Sequence, residues 1–181
     1  MDTISFKAKF VNNSIVQARK PNGRYGEKEV SLVKLCHNKA DQNSLQDASI
    51  KWKAGYLESI LIDYFQPTHR KITIYALTEQ EGNFKKLQPE KILGLIDVKE
   101  DEKYYKIHYL QTRPDCIRSK RNKPFKGIGA SLMKSIITLK QDKNIYLNSV
   151  KEAIDFYKKF KFEVVQDDIE EPLMLLRKTV R

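Results

Sequence analysis

The sequence predicts an α/β protein, a mixed sheet with helices on both faces. Three observations carry this. Short runs of β-branched and aromatic residues recur along the whole chain. Helical segments interrupt them twice, first as a pair around residues 41–67 and again after residue 126. The 181 residues are 40% hydrophobic and 31% charged, the balance of a globular protein with one core, so a single domain over residues 1–181 is expected.

Residues 4–11 (ISFKAKFV) alternate apolar and polar, and residues 14–20 (SIVQARK) can return beside them across the turn signal Asn12-Asn13. Residues 1–28 are therefore expected to form an N-terminal β-hairpin extension. Residues 21–27, with Pro21 and two glycines, read as a loop. Residues 29–38 read as a strand, residues 41–55 as a helix and residues 56–67 as another that stops before Pro67. Strands follow at 70–79, 91–100 and 104–114, with a polar turn over 81–90. A basic loop leads into a helix over 127–141, and residues 144–150 read as a short buried strand. Ser149, with Glu152 three residues on, has the pattern of a capping box for a helix over 151–160. Residues 161–165 and 172–180 read as strands joined by an acidic turn.

The net charge of +11, from 34 Lys and Arg against 23 Asp and Glu, favours anionic partners such as nucleic acid or a phosphorylated ligand. Lysines spread over a solvated surface are the plainer explanation. Only residues 113–126 (RPDCIRSKRNKPFK) are locally extreme. Apolar runs are too short to cross a membrane, and the N-terminus lacks the features of a signal peptide, so a cytoplasmic protein without membrane contact is expected. Cys36 and Cys116 form no paired metal spacing. They are expected to be free thiols, and no metal site is expected.

Chemistry concentrates at Gly127-Ile128-Gly129, where the basic loop hands over to a helix. The first N–H groups of a helix are unpaired and carry partial positive charge, and glycine lets a phosphate approach them. The motif lacks the Lys-Ser/Thr of a P-loop and the third glycine of a dinucleotide fingerprint.

In this context residues 91–165 resemble the GNAT superfamily of N-acetyltransferases. Leu110, Thr112 and Pro114 match its Leu-x-Val-x-Pro strand, and Lys126-Gly127-Ile128-Gly129-Ala130 match its pyrophosphate loop. Ala153, Phe156, Tyr157 and Phe162 match its Ala-x-x-Phe-Tyr-x-x-x-Gly-Phe, with Lys161 in the glycine position. Pro124 and Phe125 depart from the loop pattern, and the family asparagine before the last helix falls at Val150.

The resemblance implies a mostly antiparallel sheet with a central splayed parallel strand pair, and an acetyl-CoA-binding core at 91–165. It implies acetyl-CoA as cosubstrate, with the strands splaying after Pro114 and the pantetheine arm entering near Leu110 and Thr112. Lys126, Gly127, Ile128, Gly129 and Ala130 would cradle the pyrophosphate. Arg121, with Arg118, Lys120 and Lys123, would replace the missing loop charge, contact the 3′-phosphate of coenzyme A, or remain solvated. Tyr157 takes the position of the general acid. His108, two residues before Leu110 and read as on the same strand face, is the candidate base; a structural histidine, with water taking the proton, competes with that reading.

Trp52, Tyr56 and Tyr64 are candidates for an acceptor pocket or for core. The expected function is acetyl transfer to a primary amine on a small molecule, a protein or an aminoacyl-tRNA. The alternative is a basic module of the same fold that binds nucleic acid without chemistry.

Overall fold

The computed structural model describes residues 8–36, 38–53, 55–65, 71–117, 121–166 and 171–178. Arg118 and Lys120 lie outside these residues, as does most of the acidic turn. The strands are β1 (Lys9–Arg19), β2 (Tyr25–Lys34), β3 (Ile72–Thr78), β4 (Ile92–Glu100), β5 (Tyr104–Thr112), β6 (Phe125–Lys126), β7 (Asn144–Asn148), β8 (Glu163–Gln166) and β9 (Leu173–Leu176). They join one sheet in the order β6-β1-β2-β3-β4-β5-β7-β9-β8. All described pairings are antiparallel except β5 with β7.

Helices α1 (Lys39–Trp52) and α2 (Gly55–Phe65) cover one face; α3 (Ile128–Leu139) and α4 (Ile154–Lys158) cover the other. Side chains alternate across a strand, and the two cores divide accordingly. Ile74 and Ala76 of β3 pack with Leu45, Leu57 and Ile60 of α1 and α2, whereas Tyr75 and Leu77 pack with Leu132 and Ile136 of α3. The first seven residues of β4 are all buried, as expected of a strand covered on both sides. Gly94 of β4 admits α3: a Cβ there would stand 2.8 Å from Ile128 Cγ2 and 3.0 Å from Leu132 Cδ1.

Two local expectations are corrected. Asn12-Asn13 is not a turn, because β1 runs straight through it and pairs with β2 from Lys9↔Lys34 to Arg19↔Tyr25. The reversal falls at residues 20–24, where Gly23 takes φ +78° and the Lys20 N–H donates to Arg24 O at 2.7 Å. Pro-Asn-Gly supplies the left-handed residue a tight turn needs, which Asn-Asn before Ser does not. Ser149 is not a cap either. It is buried, its Oγ donates to Val150 O at 2.8 Å and its N–H to Pro172 O at 3.0 Å. The helix therefore opens as a 3-10 turn over Lys151–Ala153 and shortens to α4.

Lys161 adopts φ +67°, the left-handed conformation that suits the glycine of the matching motif. Lys161→Gly is expected to raise stability by about 1 kcal/mol, the left-handed strain less the extra freedom of glycine in the unfolded chain. Chemical denaturation of both proteins checks this; an unchanged or lower unfolding midpoint would show that the lysine carries no strain.

Candidate active site

The site begins where two strands part. β5 and β7 pair from Tyr104↔Asn144 to Ile107↔Leu147 and no further, while β5 stays on β4 as far as Gly94↔Thr112. Among the described residues, the edge of β5 that faces β7 is thus unpaired from His108 onward. The opening starts six residues before Pro114, where the splay was expected. Its cause is a β-bulge: Val98 faces Ile107 and Asp97 faces Tyr109, which leaves His108 as the extra residue. A bulge bends its strand and re-aims a side chain. His108 consequently does not share a face with Leu110. Its ring reaches Asp63 of α2, whereas Leu110 packs toward α3 and α4.

The parted strands lead to the start of α3. Gly127, its N-cap, has φ +78°, and no side chain caps the helix. The first α3 ladder bond runs from the Ser131 N–H to Gly127 O at 2.8 Å, so the N–H groups of Ile128, Gly129 and Ala130 stand ahead of the ladder. A Cβ on Gly129 would make ordinary contacts at 3.5 Å with Leu110 and Phe156. These residues, with Thr112, Cys116, Lys123 and Lys126, line a cavity of about 290 Å³. Leu110 and Phe156 also line the neighbouring cavity, of about 460 Å³, bounded by Tyr56, Lys106, His108, Asn148, Val150, Tyr157 and Glu171 among others.

The fold has known counterparts among solved structures. PseH, an N-acetyltransferase of Campylobacter jejuni solved with acetyl coenzyme A, matches with a TM-score of 0.56 at 15% identity over 82% of this chain and 99% of that one. PaiA N-acetyltransferase of Thermoplasma acidophilum, solved with coenzyme A, matches at 0.52 and 14% over 82% and 98%. The ribosomal-protein-S18-alanine N-acetyltransferase of Escherichia coli matches at 0.55 and 14% over 83% and 96%. The chain has the GNAT fold. No family model matches the chain, and no curated protein matches its sequence.

Within this GNAT fold, the expected residues converge. His108, Leu110 and Tyr157 line the larger cavity; Leu110, Thr112, Lys126, Gly127, Ile128, Gly129 and Ala130 line the smaller. Arg121 is exposed and lines neither, while Lys123 lines the smaller. The Lys126 ammonium sits 3.6 Å from the centre of the Tyr25 ring. The departures at Pro124 and Phe125 dock the loop on the hairpin. Pro124 O accepts from the Arg19 N–H at 2.8 Å, Lys123 O accepts from Tyr25 Oη at 2.8 Å, and buried Phe125 pairs with Ala18 of β1.

Of the three aromatic residues, Tyr56 lines the larger cavity, its ring tilted against that of Tyr109 with centres 5.7 Å apart, while Trp52 and Tyr64 are core. Burial pushes the Tyr157 phenol up to about 12, with the nearby Tyr56 adding to the shift. Both cysteines are free; burial, then the hydrogen bond to Asp115, raises the Cys116 thiol to about 11.

Sequence reasoning missed Asn148 and Glu171, whose place depends on where β7 ends and β9 begins. It also missed Asp63 and Asp97, which meet His108 from different elements. His108 Nδ1 lies 3.4 Å from Asp63 Oδ2 and 3.9 Å from Asp97 Oδ1. Asp97 is fully buried, and burial, then the Asp63 charge, raises its carboxyl to about 8 from an ordinary 3.8. Its folded value is raised, so its contribution to stability is full below about pH 4 and is lost as pH rises toward about 8. Thermal midpoints measured from about pH 5 to about pH 8 should fall more steeply for the parent than for Asp97→Asn. Parallel profiles would mean that Asp97 holds no proton in the folded state.

Proposed function

We propose that the protein is an acetyl-CoA-dependent N-acetyltransferase that acts on a primary amine. The observation that carries this is the continuity of the unpaired β5 edge with the uncapped start of α3. Leu110 and Phe156 line both cavities, so the two are neighbours on either side of these side chains.

The residues present fit the cosubstrate. The N–H groups of Ile128, Gly129 and Ala130 would hold the pyrophosphate, where partial positive charge and the absence of a Cβ at Gly129 favour an anion. Lys123 and Lys126 add positive charge at the rim. The β5 edge offers unpaired backbone to the amide groups of the pantetheine arm. Bound there, acetyl-CoA supplies an activated thioester.

In this reading a main-chain N–H on the open edge of β5 polarises the thioester carbonyl. Tyr157, kept protonated by burial, donates a hydrogen bond where negative charge develops on the leaving sulfur and supplies its proton. Glu171 and Asn148 form a polar wall that attracts a positively charged amine. PseH and PaiA, solved with acetyl coenzyme A and coenzyme A, support this use of the fold. The name of the Escherichia coli relative assigns it a protein alanine as acceptor, which supports an amine here.

Gly129→Glu is expected to abolish acetyl-CoA binding by calorimetry while preserving the fold, because ordinary contacts surround that Cβ and a carboxylate would fill the phosphate seat. Undiminished binding would refute the cradle.

Tyr157→Phe keeps the ring packed against Phe156 and Phe162 and removes only the phenol hydroxyl, and with it the proton it could give. With a competent amine, turnover should fall about 10²–10⁴-fold while affinity and thermal midpoint hold. Tyr157→Ala should instead lower stability through lost packing, by less than the about 3–5 kcal/mol of a fully buried ring, because Tyr157 is only partly buried. Full activity in the Phe variant would remove Tyr157 from the chemistry.

A further inference from the structure

Behind the cavity wall, two carboxylates and an imidazole meet on the α2 face of the sheet. Asp97 comes from β4, Asp63 from α2 and His108 from the bulge of β5; one ligand atom from each lies within 4.8 Å of the others. Asp97 is 0% exposed, and the polar groups that bear on its carboxyl are Asp63 and the main-chain N–H groups of His108 and Tyr109. A carboxylate so buried is costly inside a protein unless it holds a proton or shares one. Asp63 is within reach to share it, and two carboxylates this close do not both ionise.

The orientation of His108 gives the cluster a direction. Its Nδ1 faces both carboxylates, which puts Nε2 on the opposite edge of the ring, and the ring lines the larger cavity. Neither aspartate lines that cavity or the smaller one. The charged groups that bear on the ring are Asp63 from α2, Lys99 from β4 and Lys106 from β5. The lysines and burial oppose a charge on the imidazole; Asp63 favours one.

We propose that Asp97, Asp63 and His108 form a buried chain that positions the base of the reaction. Asp97 carries a proton toward Asp63, the Asp63 carboxylate accepts the Nδ1–H, and Nε2 is left as an acceptor open to the incoming amine. Asp63 and Asp97 act through His108 and are positioning residues. This inference rests on the acetyltransferase reading.

An ammonium gives one proton to Nε2, and the resulting imidazolium is held by the Asp63 carboxylate. The nitrogen lone pair forms the C–N bond as the C–S bond breaks. The nitrogen's second proton leaves and the departing sulfur takes one up, through Tyr157 or solvent. His108 then returns its proton to water, so one proton is released for each ammonium acetylated.

The test is nuclear magnetic resonance titration of His108 in the full chain, paired with the pH profile of kcat/KM for an acetylated amine. In the parent, Nδ1 should carry the proton of the neutral ring; a ring protonated at Nε2 overturns the proposal without any variant. In Asp63→Asn the ring should titrate about 1–3 pH units lower, the range for loss of a neighbouring opposite charge. The acid limb of the kcat/KM profile should move down with it, and Asp63→Glu should restore part of both shifts.

An unmoved ring, or a moved ring with an unmoved limb, overturns the proposal. A stoichiometric divalent cation that purifies with the parent and is lost in Asp63→Asn overturns it too. If no amine is acetylated while the ring behaves as described, the chain is supported and the acetyltransferase reading fails.

Discussion

A strand edge that opens inside a sheet leaves main-chain N–H and C=O groups without partners, and each such group costs about 1–3 kcal/mol if it is also kept from water. β5 carries such an edge from His108 to Thr112, and the rest of the structure can be understood as what makes that edge tolerable and useful. β4 holds the strand from its other side as far as Thr112, so β5 stays extended after β7 has left it. The bulge at His108 supplies the bend that turns β5 away. α3 and α4 then wall the opening with Gly129 and Phe156 rather than closing it.

The N-terminal hairpin serves the same opening from a distance. β1 pairs with β2 on one side and with β6 on the other, so the chain leaving the basic loop is held at Lys126 when it enters Gly127. Phe125, buried under β1 between the charges of Lys28 and Arg113, anchors the loop just before the left-handed turn of Gly127. α3 is drawn down onto β4 by the missing side chain of Gly94. The start of α3 is therefore set by packing on two strands and not by a cap of its own.

What was legible in the sequence was local. Alternation and runs of β-branched residues marked the strands, and Gly127 and Gly129 stood out because a left-handed φ and a missing Cβ are demands that one residue type meets. Tyr157 was found by its place in a motif. Longer-range features were hidden for physical reasons. The turn at Gly23 competed with Asn12-Asn13, and strand pairing decided between them. Ser149 had a capping pattern, but Pro172, just before β9, accepts its N–H. The bulge at His108 exists only in register with β4, so the face of that side chain could not be read from alternation. Asp63 and Asp97 lie 34 positions apart in the chain, and only the packing of α2 on the sheet brings them to one imidazole.

The central claim is that the β5 edge and the start of α3 form one seat for coenzyme A. Amide chemical-shift mapping during titration with coenzyme A tests it most directly. The account predicts that the amides of Ile128, Gly129 and Ala130 and those of Tyr109 to Thr112 shift together, with one affinity. Binding that leaves both groups unmoved, or that moves α3 without β5, would contradict it.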